Sequence, residues 1–142
     1  MTHEEIKARF EHEIDLRGVD DKWIDRNEER EILQIALLMG LGAETSHQVL
    51  AAVCKERGYV LESNVVRQLR QHIDHAPAQI GRREFERLVQ EGRSGVAGRA
   101  SDRQLQAWIV EILEDTAPRR VKSRWPWNWY KAIKRDLGLI SS

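Results

Sequence analysis

The feature that most constrains this chain is its punctuation: residues that open and close helices recur at short intervals, and no stretch alternates long enough to make an ordinary strand. Thr2 with Glu5 forms a capping box, ahead of Ile6, Phe10 and Ile14 at four-residue spacing, and Gly18 closes the segment. Asp25 with Glu28 opens a second helix. Its Ile32, Leu33, Ile35, Ala36, Leu37, Leu38 and Met39 are apolar nearly all round, which predicts a central, buried helix stopped by Gly40 and Gly42. Thr45 with Gln48 opens a third, reaching Arg57 with Val49, Leu50, Val53 and Cys54 inward and Gly58 as its stop. A fourth begins near Ser63, turns Val66, Leu69 and Ile73 inward, and cannot pass Pro77. A fifth runs from about Arg82 to Glu91 with Phe85, Leu88 and Val89 inward.

The stretch "GRSGVAGRA", Gly92 to Ala100, holds three glycines and no periodicity, and reads as a linker. Ser101 with Gln104 opens a sixth helix with Leu105, Trp108, Ile109, Ile112 and Leu113 at helical spacing. Pro126 fits the first turn of a last helix, Trp127 to about Leu137, closed by Gly138. The predicted fold is therefore all-α, a bundle of six to seven short helices with no sheet of ordinary size. Residues 1–92 form the helical bundle and 98–142 a C-terminal helical segment with a basic, Trp-rich tail.

With 41% hydrophobic and 32% charged residues, the composition is that of a soluble globular protein. The longest apolar run, Ile35 to Met39, is far too short to span a bilayer. No basic stretch followed by an apolar run marks a secretory signal, and the single Cys54 has no internal disulfide partner. A cytoplasmic, bacterial-type setting is the expectation.

Short hydrophobic hooks sit between the helices: Trp23-Ile24, Tyr59-Val60-Leu61 and Gln79-Ile80. "KWIDRNEEREIL" (Lys22 to Leu33) aligns with "GYVLESNVVRQL" (Gly58 to Leu69) and with "AQIGRREFERLV" (Ala78 to Val89). Over residues 3–75 this layout resembles a pair of EF-hands, which implies a small antiparallel bridge between central aliphatic residues. The acidic, glycine-punctuated turns also resemble the tellurite-resistance-associated TerB-like helical domains, which implies a stress- or envelope-associated scaffold. The EF-hand-like loops are not predicted to hold calcium. With Ile24 at the eighth loop position, the first, third and fifth are Arg17, Val19 and Asp21, and the twelfth is Glu28. In the second loop the same early positions are Val53, Lys55 and Arg57, with Asn64 last. Calcium needs six to eight oxygen ligands, so Glu28 reads as a capping residue. A non-standard site from Asp20, Asp21, Asp25 and Glu28 is the alternative.

No catalytic pattern emerges. His72 and His75, three apart at a helix end, suit exposed carbonyls better than a metal. Cys54 and His47 share a helix face, but Leu50 and Val53 beside Cys54 mark it as a small buried hydrophobe. The nucleophile-elbow and phosphate-loop motifs are absent. The chain is read as a non-enzyme without cofactor or metal.

The zero net charge hides an asymmetry. From Thr116 onward seven cations face Asp136 alone, a net +6, which leaves −6 on the first 115 residues. "RRVKSRWPWNWYKAIKRDLGLISS" interleaves Trp125, Trp127, Trp129 and Tyr130 with Arg120, Lys122, Arg124, Lys131, Lys134 and Arg135. On a helix, Trp129 or Tyr130 with Ile133 and Leu137 forms one stripe, and Lys131, Lys134 and Arg135 the other face. Such a segment docks on its own core or binds a partner. The expected function is a non-catalytic, cytoplasmic protein-interaction or scaffold module. Its partner-binding residues are Trp125, Trp127, Trp129, Tyr130, Arg120, Arg124, Lys131 and Lys134, and its partner is an unknown protein or a second copy. The alternative is a nucleic-acid-binding module with Arg120, Arg124 and Lys134 on phosphates.

Overall fold

The computed structural model describes residues 2–96, 98–123 and 128–140. The fold is all-α, with seven helices and one minimal sheet among these residues: α1 (His3–Gly18), β1 (Trp23–Ile24), α2 (Arg26–Leu38), α3 (Ala43–Arg57), β2 (Val60–Leu61), α4 (Glu62–His75), α5 (Arg82–Val96), α6 (Asp102–Thr116) and α7 (Trp129–Asp136). A 3-10 turn, Pro118–Arg120, follows α6. None of these helices is long and apolar enough to cross a membrane. The chain forms two compact units, Met1–Asn64 and Val65–Ser142, and the division falls inside α4.

In the first unit, α1, α2 and α3 enclose Phe10, Ile14, Ile32, Leu50 and Val53. Local chemistry sets the helix starts. Thr2 Oγ1 accepts from the Glu5 N–H at 3.2 Å. Asp25 and Glu28 form a complete capping box, each carboxylate accepting from the other's backbone N–H at 2.8 and 3.0 Å. Glu28 is thus tied to the helix start, and partial burial raises its pKa. The third helix starts earlier than predicted. Gly42 is its N-cap without a side-chain cap bond, and the Thr45–Gln48 box does not form. Ser46 instead turns its hydroxyl onto the Gly42 carbonyl at 2.8 Å.

Gly18 lies inside the last turn of α1 rather than in a left-handed stop, and it serves close packing. A Cβ there would sit 2.7 Å from the Tyr59 ring. That ring is fixed by its hydroxyl, which donates to Asp15 at 2.7 Å, while Arg57 pairs with the same carboxylate at 3.1 Å. The second helix is not buried on all sides. Ile32 and Ala36 face the core, whereas Leu37 and Leu38 lie exposed near its C-terminal end.

The first two hooks pair as expected of a repeat, but the pairing is parallel, with Trp23 opposite Val60 and Ile24 opposite Leu61. The antiparallel bridge implied by an EF-hand pair is therefore not what forms. The Val60 N–H reaches the Lys22 carbonyl at 2.8 Å. Lys22 takes a left-handed φ of 61° to present it, and the Asp21 carboxylate accepts from the Trp23 N–H at 3.0 Å to shape the turn. Beyond the hook, Glu62 accepts from both the backbone N–H and the guanidinium of Arg26 at 3.0 and 3.1 Å.

The second unit repeats this order of elements. The third hook, Ile80, makes a parallel bridge with Val121, which no sequence pattern marked as a hook. Ile80 donates to the Arg120 carbonyl at 2.7 Å and accepts from Lys122 at 2.8 Å. Gly81 donates to the Glu84 carboxylate, the counterpart of the Asp25–Glu28 start. Each unit thus runs helix, hook, helix, helix, hook, and the second adds α7. In α4 the inward residues are Val65, Leu69 and Ile73 at four-residue spacing, with Val65 in the place predicted for Val66.

The predicted linker is wrong over its first half. The fifth helix continues through Val96, which is 1% exposed. Gly92 is a packing residue: a Cβ there would lie 2.8 Å from Leu105 and 2.9 Å from Leu69, both buried. Glycine lets α5 approach both α4 and α6. This makes a direct test. Alanine favours a solvent-exposed helix by about 1 kcal/mol over glycine, yet Gly92→Ala should destabilise this protein by about 1–3 kcal/mol through overpacking. Denaturant melts of the two proteins check it; a neutral or stabilising effect would restore the linker reading.

Candidate protein-interaction site

The last helix, α7, packs onto α5 and α6 within the second unit. The last helix begins at Trp129, two residues later than predicted, because the Asn128 side chain accepts from the Lys131 N–H at 3.0 Å and caps it there. Ser123 Oγ accepts from the Tyr130 N–H at 3.2 Å, which ties the approach segment to the first turn. Trp129 donates its indole N–H to the Lys122 carbonyl at 3.0 Å. Its ring stands 5.4 Å from Phe85, and Tyr130 lies edge-on to Phe85 at 6.4 Å. Such tilted and edge-on aromatic contacts add to the area they bury.

Tyr130 is 7% exposed. Its hydroxyl is buried with no partner in hydrogen-bonding geometry among the described residues. Burial, then the negative charge of Glu114, pushes the phenol's pKa up. Lys134 donates to Glu114 at 2.8 Å while its ammonium stands 4.8 Å over the Tyr130 ring. That hydrogen bond holds the Glu114 carboxyl below its ordinary range. Lys134 therefore belongs to the docked side of α7, one turn from Tyr130, and not to the free cationic face predicted for it. Ile133 and Leu137 are half-buried, and Lys131 and Arg135 are exposed.

Arg120 is turned inward as well. Its guanidinium donates to the carbonyls of Ala76, Pro77 and Ala78 at 3.0, 2.9 and 3.4 Å, closing the end of α4 beside the Ile80 hook. Of the eight residues expected to bind a partner, Trp129, Tyr130, Lys131 and Lys134 are gathered on α7 and Arg120 lies at the hook. Arg124, Trp125 and Trp127 fall outside the described residues.

Two neighbouring clefts open between α6 and α7. The first, about 790 Å³, has Pro118, Val121, Asn128, Tyr130 and Lys131 in its walls. The second, about 740 Å³, is lined along one stripe of α6 by Ala107, Val110, Glu111 and Asp115. Glu114, Lys134, Leu139 and Ile140 border both, and Leu139 is 52% exposed. Glu114, Asp115, Leu139 and Ile140 were not singled out from the sequence. A lysine–glutamate contact spanning twenty residues leaves no local pattern, whereas two apolar residues just past a helix-stopping glycine were a signal available to be read.

Elsewhere the cysteine and the acidic residues of the first hook are buried or engaged. Cys54 is 4% exposed, and burial pushes its thiol up to about 11, while His47 on the same helix is exposed. The Asp21, Asp25 and Glu28 carboxylates serve the turn and cap described above. Among the described residues, no group of three or more His, Cys, Asp or Glu is placed to hold a metal ion.

Two measurements test this geometry. Cys54 should resist alkylation in the folded protein and react fully in denaturant, because only the thiolate attacks; labelling followed by mass spectrometry reads it. For Glu114 the bound partner favours the charged form, so its stabilisation is present above the ordinary carboxylate range and lost as the pH falls through the lowered value. Glu114→Gln should cost less than about 1 kcal/mol at neutral pH, since the pair is partly exposed. Its deficit against the parent should shrink as the pH falls through that lowered value, as read in denaturant melts.

Comparison of the chain with protein-family models, with curated proteins and with solved structures gives no match.

Proposed function

We propose that this chain is a non-catalytic protein-interaction module of the cytoplasm, and that it binds through the face formed by α6, α7 and the residues just after α7. The observation that carries this reading is the pair of clefts bordered by an exposed Leu139, with the exposed Lys131 on the wall of the first. Apolar side chains left in water beside polar rims are what partner surfaces offer. The lone buried cysteine suits a reducing compartment. The hook-punctuated helices support a scaffold of the TerB-like kind, whereas the parallel direction of both bridges argues against an EF-hand pair.

A nucleic-acid role draws on Arg119, Lys122, Lys131 and Arg135, which are exposed in the second unit. It has weaker support. Arg120 is engaged by carbonyls and Lys134 by Glu114, two of the three side chains expected on phosphates.

The test is capture by the tagged full chain, with cross-linking, compared with the Lys131→Glu/Leu139→Asp variant. The expected result is a defined protein partner whose recovery falls by about tenfold or more in the variant, as loss of a rim charge and an apolar contact requires. Equal recovery by both proteins would contradict it. Tight, salt-sensitive binding of oligonucleotides would favour the nucleic-acid role instead.

A further inference from the structure

We infer that the α6–α7 face is self-complementary and joins two copies of this chain in a two-fold symmetric dimer. The inference rests on the choice of surface made above, but not on any other partner. The two clefts lie side by side, and their common border is Leu139 and Ile140 with the mutually neutralised Glu114–Lys134 pair. Beyond that border the second cleft adds the acidic Asp115 on the α6 stripe, and the first adds the cationic Lys131 on α7. A surface that carries both signs on either side of an apolar ridge matches itself after a half-turn.

A two-fold interface uses the same patch twice: if one residue of the first copy meets a second residue of the other, the reciprocal contact follows. Here the acidic side of each copy meets the cationic side of its mate, and the two Leu139–Ile140 ridges meet near the axis. Charge complementarity of this sort selects the partner and sets its register. A foreign protein would have to reproduce the same plus–apolar–minus order, which a second copy supplies by construction. The zero net charge of the whole chain also leaves no long-range repulsion between copies.

The arrangement gives a charge-swap test on the full-length protein. Asp115 and Lys131 are both exposed, so Asp115→Lys and Lys131→Glu leave the core untouched. Sedimentation equilibrium of the purified parent should show a concentration-dependent dimer. Each single variant should raise the dissociation constant by about tenfold or more, because it places like charges opposite each other twice. An equimolar mixture of the two variants should recover the dimer, as should the double variant, since both restore opposite charges at both contacts. A parent protein monomeric up to roughly 1 mM would overturn the inference, that being the limit of weak association. So would a dimer that survives both single changes, or a mixture that fails to recover. Because only this chain is in the cell, monomeric behaviour refutes the dimer while leaving capture of another protein to be decided by the cross-linking comparison.

Discussion

Each unit depends on a short rung of backbone pairing between two helix corners. In the first, the Val60 N–H meets the Lys22 carbonyl; in the second, Ile80 exchanges bonds with Arg120 and Lys122. A buried corner would otherwise leave polar backbone groups unpaired, at a cost of about 1–3 kcal/mol each. The rung removes that cost and fixes which helix ends meet. Lys22 accepts an unfavourable left-handed backbone to complete it, and Arg120 adds its guanidinium to the carbonyls ending α4. Ile24, Leu61 and Ile80 can then point inward as the corner residues of the core.

Three helix starts with a capping side chain were legible because their chemistry is local, whereas the Asn128 cap of α7 was passed over for Pro126. Thr2, Asp25 and Ser101 each accept from the N–H three residues on, as their sequence neighbours imply. The first three hooks were legible too, since they repeat within similar surroundings. The fourth, at Val121, was hidden behind Pro118 and a run of cations. Glycines misled for a physical reason. Sequence shows that a glycine lacks a side chain, but not whether that freedom serves a turn or a close approach. Gly58, at φ 71°, is a turn; Gly18 and Gly92 are close approaches. The exposure of Leu37 and Leu38 was equally invisible, because apolar periodicity indicates where a helix can be buried and not where neighbours end.

The charged tail illustrates how charge count and charge availability differ. Seven cations past Thr116 give the tail its sign, yet Arg120 is used by carbonyls and Lys134 by Glu114 and the Tyr130 ring. What α7 leaves outward is smaller and more specific: Lys131 and Arg135, with Leu139 and Ile140 beyond the helix end. The acidic residues of α6 beside them turn a basic tail into a surface of both signs, and this is the basis for placing recognition there.

The account stands on the rungs between helix corners, and amide hydrogen exchange measures them directly. The amides of Val60, Ile80 and Lys122 should exchange as slowly as those of the buried turns of α3 and α6, since opening any of them requires separating a unit's helices. Exchange of these three amides at free-chain rates, with the helices still protected, would show that the corners are unpaired and would contradict the structure proposed for both units.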